Sequence, residues 1–303
     1  MSPLVDAAPP PAAQHPQPLY ELAPGLSLAR GGPGRILNVY LLGTVVLDSG
    51  VRWSRRRLQR QLAGRRLTAH ALTHAHFDHA GCSAWLCQTF GVPLWCSAGD
   101  AAAISSGRVD THGSPAFNRL QRTLLPVTAH PVTRALREGD GVEGFEVLEV
   151  PGHAPGALAF WHQRDRVLVC GDVLGNVGLR GGRVRLVLPP AALSSDVEQN
   201  RRSARRLAGL RPRLACFGHG LAVTDPGRFA AAVDQPCRGP HSDTWIGAQA
   251  PGSPWRLLEC VEPTRPSSPI LRSQIAGFWP GRSRRGIGDL GPVLGEMQLR
   301  QRV

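Results

Sequence analysis

The chain has 303 residues and a hydrophobic fraction of 42%, which excludes both a disulfide-stapled mini-protein and wholesale disorder. No stretch approaches the ~20 uninterrupted apolar residues of a membrane span, and the first 20 residues lack the basic flank and apolar run of a secretory signal. The formal charge of +13 rests on arginine alone, in a chain rich in Ala, Gly and Pro; this reads as coding-sequence composition, so nucleic acid is not the expected partner.

Residues 1–18 are Pro/Ala-rich and predict a disordered lead. Residues 38–43 and 45–50 then read as two short buried strands ended by a glycine turn. Trp53 to Leu62 predicts an amphipathic helix, with Trp53, Leu58 and Leu62 on its apolar face, arginines on its solvated face and Gly64 as its stop. Leu67 to Thr73 reads as a strand, Ala80 to Phe90 as a helix closed by Gly91, and Val92 to Cys96 as a strand. The segment Ile104 to Thr123, with Arg108, His112, Arg119 and Arg122, is expected to cover a cleft. Further strands are predicted at Val132–Leu136, Phe145–Val150, Ala157–His162, Val167–Cys170 and Leu214–Phe217. Helices are predicted at Ser195–Leu207 and Pro226–Val233. Strands in runs mixed with helices point to an α/β layered sandwich over residues 19–235. Residues 236–303 are rich in Gly, Pro, Ser and Arg with no sustained period, so a low-order tail without a folded domain is expected there.

The seven cysteines (82, 87, 96, 170, 216, 237 and 260) are odd in number and contain no CxxC pair. They predict free thiols in a reducing cytoplasm, with Cys170 a buried strand residue. His70 and His130 are read as ordinary core or surface histidines.

Residues 73–81 read Thr-His-Ala-His-Phe-Asp-His-Ala-Gly, which sets His74, His76, Asp78 and His79 within six positions just after a predicted strand. Imidazole and carboxylate are standard ligands of zinc and similar metals. A turn at a strand end can aim such side chains at one point, whereas mid-strand neighbours split between faces. Three more ligand-type residues follow at strand ends beside glycine: His153 in Pro-Gly-His-Ala-Pro-Gly, Asp172 in Cys-Gly-Asp, and His219 in Phe-Gly-His-Gly. Seven ligands from four strand ends are enough for two metals.

With these elements in this order, the chain from about Leu19 to Gln235 resembles the metallo-β-lactamase-fold hydrolase superfamily, in its glyoxalase II-like form. The Asp48-Ser-Gly50 turn is similar to that superfamily's first motif. The resemblance implies a four-layer αβ/βα sandwich with a two-metal cleft at one edge. It implies one zinc on His74, His76 and His153, a second on Asp78, His79 and His219, and Asp172 bridging both. Asp48 would stand behind the ligands, and Asp78 would also act in catalysis by orienting the attacking hydroxide. Two cations a few Å apart lower the pKa of a shared water and stabilise a developing oxyanion, so no serine or cysteine nucleophile is needed.

The departures narrow the substrate. Asp172 stands where penicillin-hydrolysing members usually carry cysteine. The tail does not resemble the helical glutathione-binding domain of the usual glyoxalase II. The only tyrosines, Tyr20 and Tyr40, do not supply the late active-site tyrosine of quorum-quenching lactonases, and there is no inserted basic arm of the tRNA-processing kind. The expected function is hydrolysis of a small ester or thioester, with a small molecule as partner and no membrane. The alternatives are a persulfide dioxygenase with one Fe2+ on His74, His153 and Asp172, a phosphodiesterase or nuclease of the same fold, or a non-catalytic binding protein. Iron or mixed iron and zinc is the alternative to zinc.

Overall fold

Alternate burial along each strand decides which layer its side chains enter. Val45 and Leu47 point to one side of their strand and Val46 to the other, and all three are fully buried. A strand buried on both faces needs a layer on each side. In this computed structural model the described residues are 18–32, 36–111, 115–178 and 184–233. The expected tail at 236–303, and all but the last residue of the expected lead at 1–18, lie outside them.

The first half of the chain runs β1 (Tyr20–Ala23), β2 (Leu26–Arg30), β3 (Asn38–Leu42), β4 (Val45–Leu47), α1 (Arg55–Leu62), β5 (Ala69–Ala71), α2 (Phe77–Ala80), α3 (Ser83–Phe90), β6 (Leu94–Ser97), α4 (Ala98–Ser106), α5 (Pro115–Leu124) and β7 (Arg134–Leu136). Its strands form one sheet in chain order, antiparallel as far as β4 and parallel from β4 to β7. The second half runs β8 (Gly141–Val142), β9 (Phe145–Glu149), β10 (Leu158–His162), β11 (Val167–Val169), β12 (Gly175–Gly178), β13 (Val184–Val187), α6 (Val197–Gly209), β14 (Leu214–Cys216) and α7 (Pro226–Val233). Here the order is β14-β11-β10-β9-β8, with β11 and β14 parallel, and β12 and β13 make a separate hairpin.

Three apolar clusters define the layers. Leu28, Tyr40 and Leu47 of the first sheet meet Phe145, Phe160 and Val169 of the second. Outside the first sheet lie Leu58 and Leu62 of α1, Leu86 of α3 and Ile104 of α4. Outside the second lie Ala204 and Leu207 of α6 and Phe229 of α7. The order helix, sheet, sheet, helix is the αβ/βα sandwich expected from the sequence.

Some elements depart from that expectation. Trp53 is 66% exposed and sits in a 3-10 turn before α1, with the Arg52 guanidinium over its ring, so it is not on the buried face. The helix expected over 80–90 starts later, at Ser83, as α3 closed by Gly91, and a separate short helix, α2, ends at Ala80. A Cβ at Gly81 would lie 2.5 Å from Phe77 O and 2.9 Å from Gly50 O. The chain therefore packs there backbone to backbone on the Asp48–Gly50 turn, and the helix breaks and restarts. The segment 104–123 holds the end of α4 and most of α5. On α5 the apolar Phe117, Leu120 and Leu124 are exposed, while the polar Gln121 is buried and accepts a hydrogen bond from Thr111 Oγ1 (2.7 Å).

His70 of β5 ties three elements together from inside the core. It is fully buried, with Nδ1 3.0 Å from Val46 O and Nε2 2.8 Å from Ser83 Oγ on α3. A carbonyl only accepts, so Nδ1 carries the proton and Nε2 accepts from the serine hydroxyl. Burial lowers its pKa to about 4, against the pull of the Val46 carbonyl and Asp48. The folded state therefore refuses a proton that the unfolded chain accepts near pH 6.5. The stabilisation is complete above that pH and falls by roughly 3 kcal/mol as the pH drops to the folded pKa. Urea unfolding of His70→Asn should show a loss of about 1–3 kcal/mol at pH 7 from the disturbed hydrogen bonds. The gap to the wild type should narrow or reverse at pH 4.5; a gap that stays constant would mean His70 does not titrate as described.

Candidate metal centre

β4 and β5 run parallel, as do β11 and β14, and β9 and β11 share a direction because both pair antiparallel with β10. Each of these five strands ends in a turn bearing a polar residue: Asp48 after β4, Thr73 to His79 after β5, His153 after β9, Asp172 after β11 and His219 after β14. The fold brings all of them to one edge of the sandwich. His74, His76, His79, His153, Asp172 and His219 are buried, and Asp78 is partly so. Three sets have donor atoms within 4.8 Å of one another: His74, His76 and His153; His74, His79 and Asp172; and Asp78, His79 and His219.

Asp172 is the hub of this cluster. Its Oδ2 lies 3.1 Å from His219 Nε2, 3.4 Å from His79 Nε2 and 3.6 Å from His153 Nε2. His219 Nε2 is also 3.3 Å from Asp78 Oδ2, and His74 Nε2 is 3.1 Å from His76 Nδ1. The close approach needs glycine beside it: a Cβ at Gly218 would lie 2.2 Å from Asp172 Oδ1 and 2.5 Å from His79 Cε1.

The far sides of the imidazoles are held from behind. His79 Nδ1 donates to Asp48 Oδ2 at 2.8 Å. Asp48 accepts as well from the Thr73 N–H (2.8 Å) and the Thr73 hydroxyl (2.8 Å). With its one proton given to Asp48, Thr73 Oγ1 accepts from His74 Nδ1 at 3.1 Å, which leaves His74 Nε2 bare. His219 Nδ1 donates to the Ile36 carbonyl. The Phe217–Gly220 turn is clasped by Asn38, whose Nδ2 donates to Phe217 O (2.9 Å) and Gly220 O (2.8 Å), and by the Tyr40 hydroxyl on Phe217 O (2.7 Å). Asp48 itself has a left-handed backbone (φ 62°), a conformation that Asp tolerates better than most residues.

Electrostatics divide the cluster in two. Burial lowers His74 and His76 well below the usual histidine range, reinforced by neighbouring imidazoles, and holds His153 at about 4. Burial acts the same way on His79 and His219, but carboxylates overcome it. Asp172, Asp48 and Asp78 raise His79 well above its ordinary value, and Asp172 and Asp78 raise His219 to about 10. The carboxylates show the converse. Burial would raise Asp172, yet His219 and His79 hold it well below the ordinary range, and Asp78 is lowered in the same way.

Five buried atoms at this edge have no hydrogen-bond partner among the described residues: His76 Nε2, His79 Nε2, both nitrogens of His153 and Asp172 Oδ1. Buried polar atoms are rarely left so. An imidazole and carboxylate donor set of this kind fits a divalent metal.

Every sequence-predicted site residue, including Asp48, is in this assembly. The sequence reading missed Thr73 and Asn38. Thr73 stands inside the motif itself, but its hydroxyl is not ligand-type chemistry, and Asn38 is remote in sequence. His70 lies in the helix-facing core and His130 is half-buried elsewhere. Arg122 pairs with Asp110 at the surface, Arg108 is exposed, and His112 lies outside the described residues.

The model of the metallo-β-lactamase superfamily matches residues 32–219, and the chain belongs to that family. A probable metallo-hydrolase of Bacillus subtilis, YflN, is 28% identical over 66% of this chain and 88% of its own length. A hydroxyacylglutathione hydrolase of Ectopseudomonas mendocina is 30% identical over 68% of each chain. Among solved structures, TTHA1623 in a di-iron-bound form superposes with a TM-score of 0.52 at 28% identity, over 67% of this chain and 97% of that one. Among the described residues no helix is long and apolar enough to cross a membrane.

Gly218→Ala places a methyl group against Asp172 and His79, neither of which can retreat into space. Urea unfolding should show a loss of about 1–3 kcal/mol; a neutral substitution would contradict the close packing described.

Proposed function

We propose that this chain is a binuclear metal hydrolase that acts on a small ester or thioester, with zinc as its metal. The observation that carries the reading is the pair of donor sets, His74/His76/His153 and Asp78/His79/His219, meeting at Asp172. The hydroxyacylglutathione hydrolase relative supports a thioester as substrate class. The di-iron form of TTHA1623 makes iron the alternative metal.

Each set would hold one cation, with Asp172 between them. When bound, the cations supply Lewis acidity toward a carbonyl oxygen and make a nearby water more acidic. The residues of the chain do the rest. Asp48 and Thr73 hold His79 and His74 in fixed orientations, so that their Nε2 atoms face the centre. Asp78 is the least buried of the seven, with 21% side-chain exposure, and orients the attacking water from the open side. Cys82, Cys87, Cys96 and Cys170 are buried free thiols, which supports work in a reducing compartment such as the cytoplasm.

Elemental analysis of protein purified without added metal should find close to two zinc ions per chain, and a thioester and ester panel should then reveal turnover. One iron per chain, or no metal after reconstitution, would overturn the reading. Asp78→Ala should abolish turnover; unchanged activity would rule out its orienting role. Because the metal-free fold keeps protons on His79 and His219 at neutral pH, loading must expel them. Calorimetry in buffers of different ionisation enthalpy should show proton release on zinc binding, and the apparent affinity should rise with pH. Affinity independent of pH between 6 and 8 would contradict those protonation states.

A further inference from the structure

Asp100 lies outside the ligand cluster and enters none of the chemistry above, yet it is a buried carboxylate, only 4% exposed, in the first turn of α4. Its Oδ2 accepts the N–H of Ala75 at 2.8 Å, and Ala75 is the residue between His74 and His76. Its carboxylate also packs against the backbone of Gly156, in the loop that carries His153. The two loops come from different sheets, and α4 packs on the second of them backbone to backbone. A Cβ at Gly99 would meet Gly156 Cα at 3.1 Å, and one at Gly156 would lie 2.1 Å from Ser97 Oγ and 2.6 Å from Asp100. The Ser97 hydroxyl caps the helix by accepting the Asp100 N–H at 3.2 Å, and this leaves the carboxylate free for the loops.

We infer that Asp100 is a positioning residue that sets the spacing of His74, His76 and His153, by holding the loops of both sheets on one carboxylate. The inference rests on the binuclear reading and deepens it: only one of the two donor sets depends on this clasp. Asp78, His79 and His219 are braced instead through Asp48, Asn38 and Ile36. The substitution Asp100→Asn keeps the shape but turns an N–H group toward either the Ala75 N–H or the Gly156 backbone, so one loop loses its contact.

Zinc binding to the metal-free full-length chain, measured by competition with a chromophoric chelator, should show two equivalents in the wild type. In Asp100→Asn one equivalent should weaken about 10- to 100-fold, with the other unchanged. Ser97→Ala, which removes the helix cap and leaves the carboxylate, should lower the melting temperature without this selective loss. Equal weakening of both equivalents, no weakening, or the same selective loss in Ser97→Ala would overturn the inference. Amide hydrogen exchange on the metal-free wild type is the second measurement. The Ala75 and Gly156 amides should be protected and open together, and independent opening would overturn the clasp even if Asp100→Asn fails to fold. A wild type that binds no zinc but keeps that joint protection would sink the binuclear reading while leaving the clasp intact.

Discussion

The structure depends on keeping polar, ionisable groups close together away from water. Six of the seven ligand-type side chains are buried, and Asp172 lies within 3.6 Å of three imidazole nitrogens. Desolvation alone would neutralise such groups or drive them apart. They stay together because each carboxylate has an imidazole to offset it, and because the strands that carry them end at one edge, fixed by hydrogen-bond ladders and an apolar core. The sandwich is thus a frame that opposes the natural tendency of its own edge to separate.

The frame acts through a layer of residues that never face the centre. Asp48 holds His79 and Thr73, Thr73 holds His74, and Asn38 with Tyr40 holds the turn before His219. These contacts are buried, side chain to side chain at Asp48 and Thr73 and side chain to backbone at Asn38 and Tyr40, and they determine orientation more than energy. The division of the imidazoles into a proton-poor group, His74, His76 and His153, and a proton-rich group, His79 and His219, follows from which of them face carboxylates.

Much of this was legible in the sequence. Thr-His-Ala-His-Phe-Asp-His reads as a ligand turn because four ligand-type residues crowd into six positions, and His153, Asp172 and His219 read as ligands because glycine follows or precedes each at a strand end. The layered α/β class followed from the alternation of strands and helices. What escaped had weaker local signals. β1 and β2 are four and five residues long, and their pairing rests on the Pro24-Gly25 turn. Trp53 looked like part of a helical apolar face because spacing cannot reveal a 3-10 turn. The break at Gly81 comes from contact with Gly50, about thirty residues away, which no local window contains. Thr73 and Asn38 carry ordinary polar side chains whose importance arises only from tertiary neighbours.

The order of the donors along the chain has a further consequence. His74, His76, Asp78 and His79 emerge early in synthesis, whereas His153 follows after two strands of the second sheet, Asp172 after four and His219 after the last. A nascent chain that has reached residue 150 carries two pairs of donors and no third partner for either. It would grip a passing cation weakly, and the wrong one as readily as the right one. On the proposed binuclear reading the pair of donor sets would not be complete until β14 docks beside β11 and closes the edge, so geometry rather than first arrival would decide which ion remains.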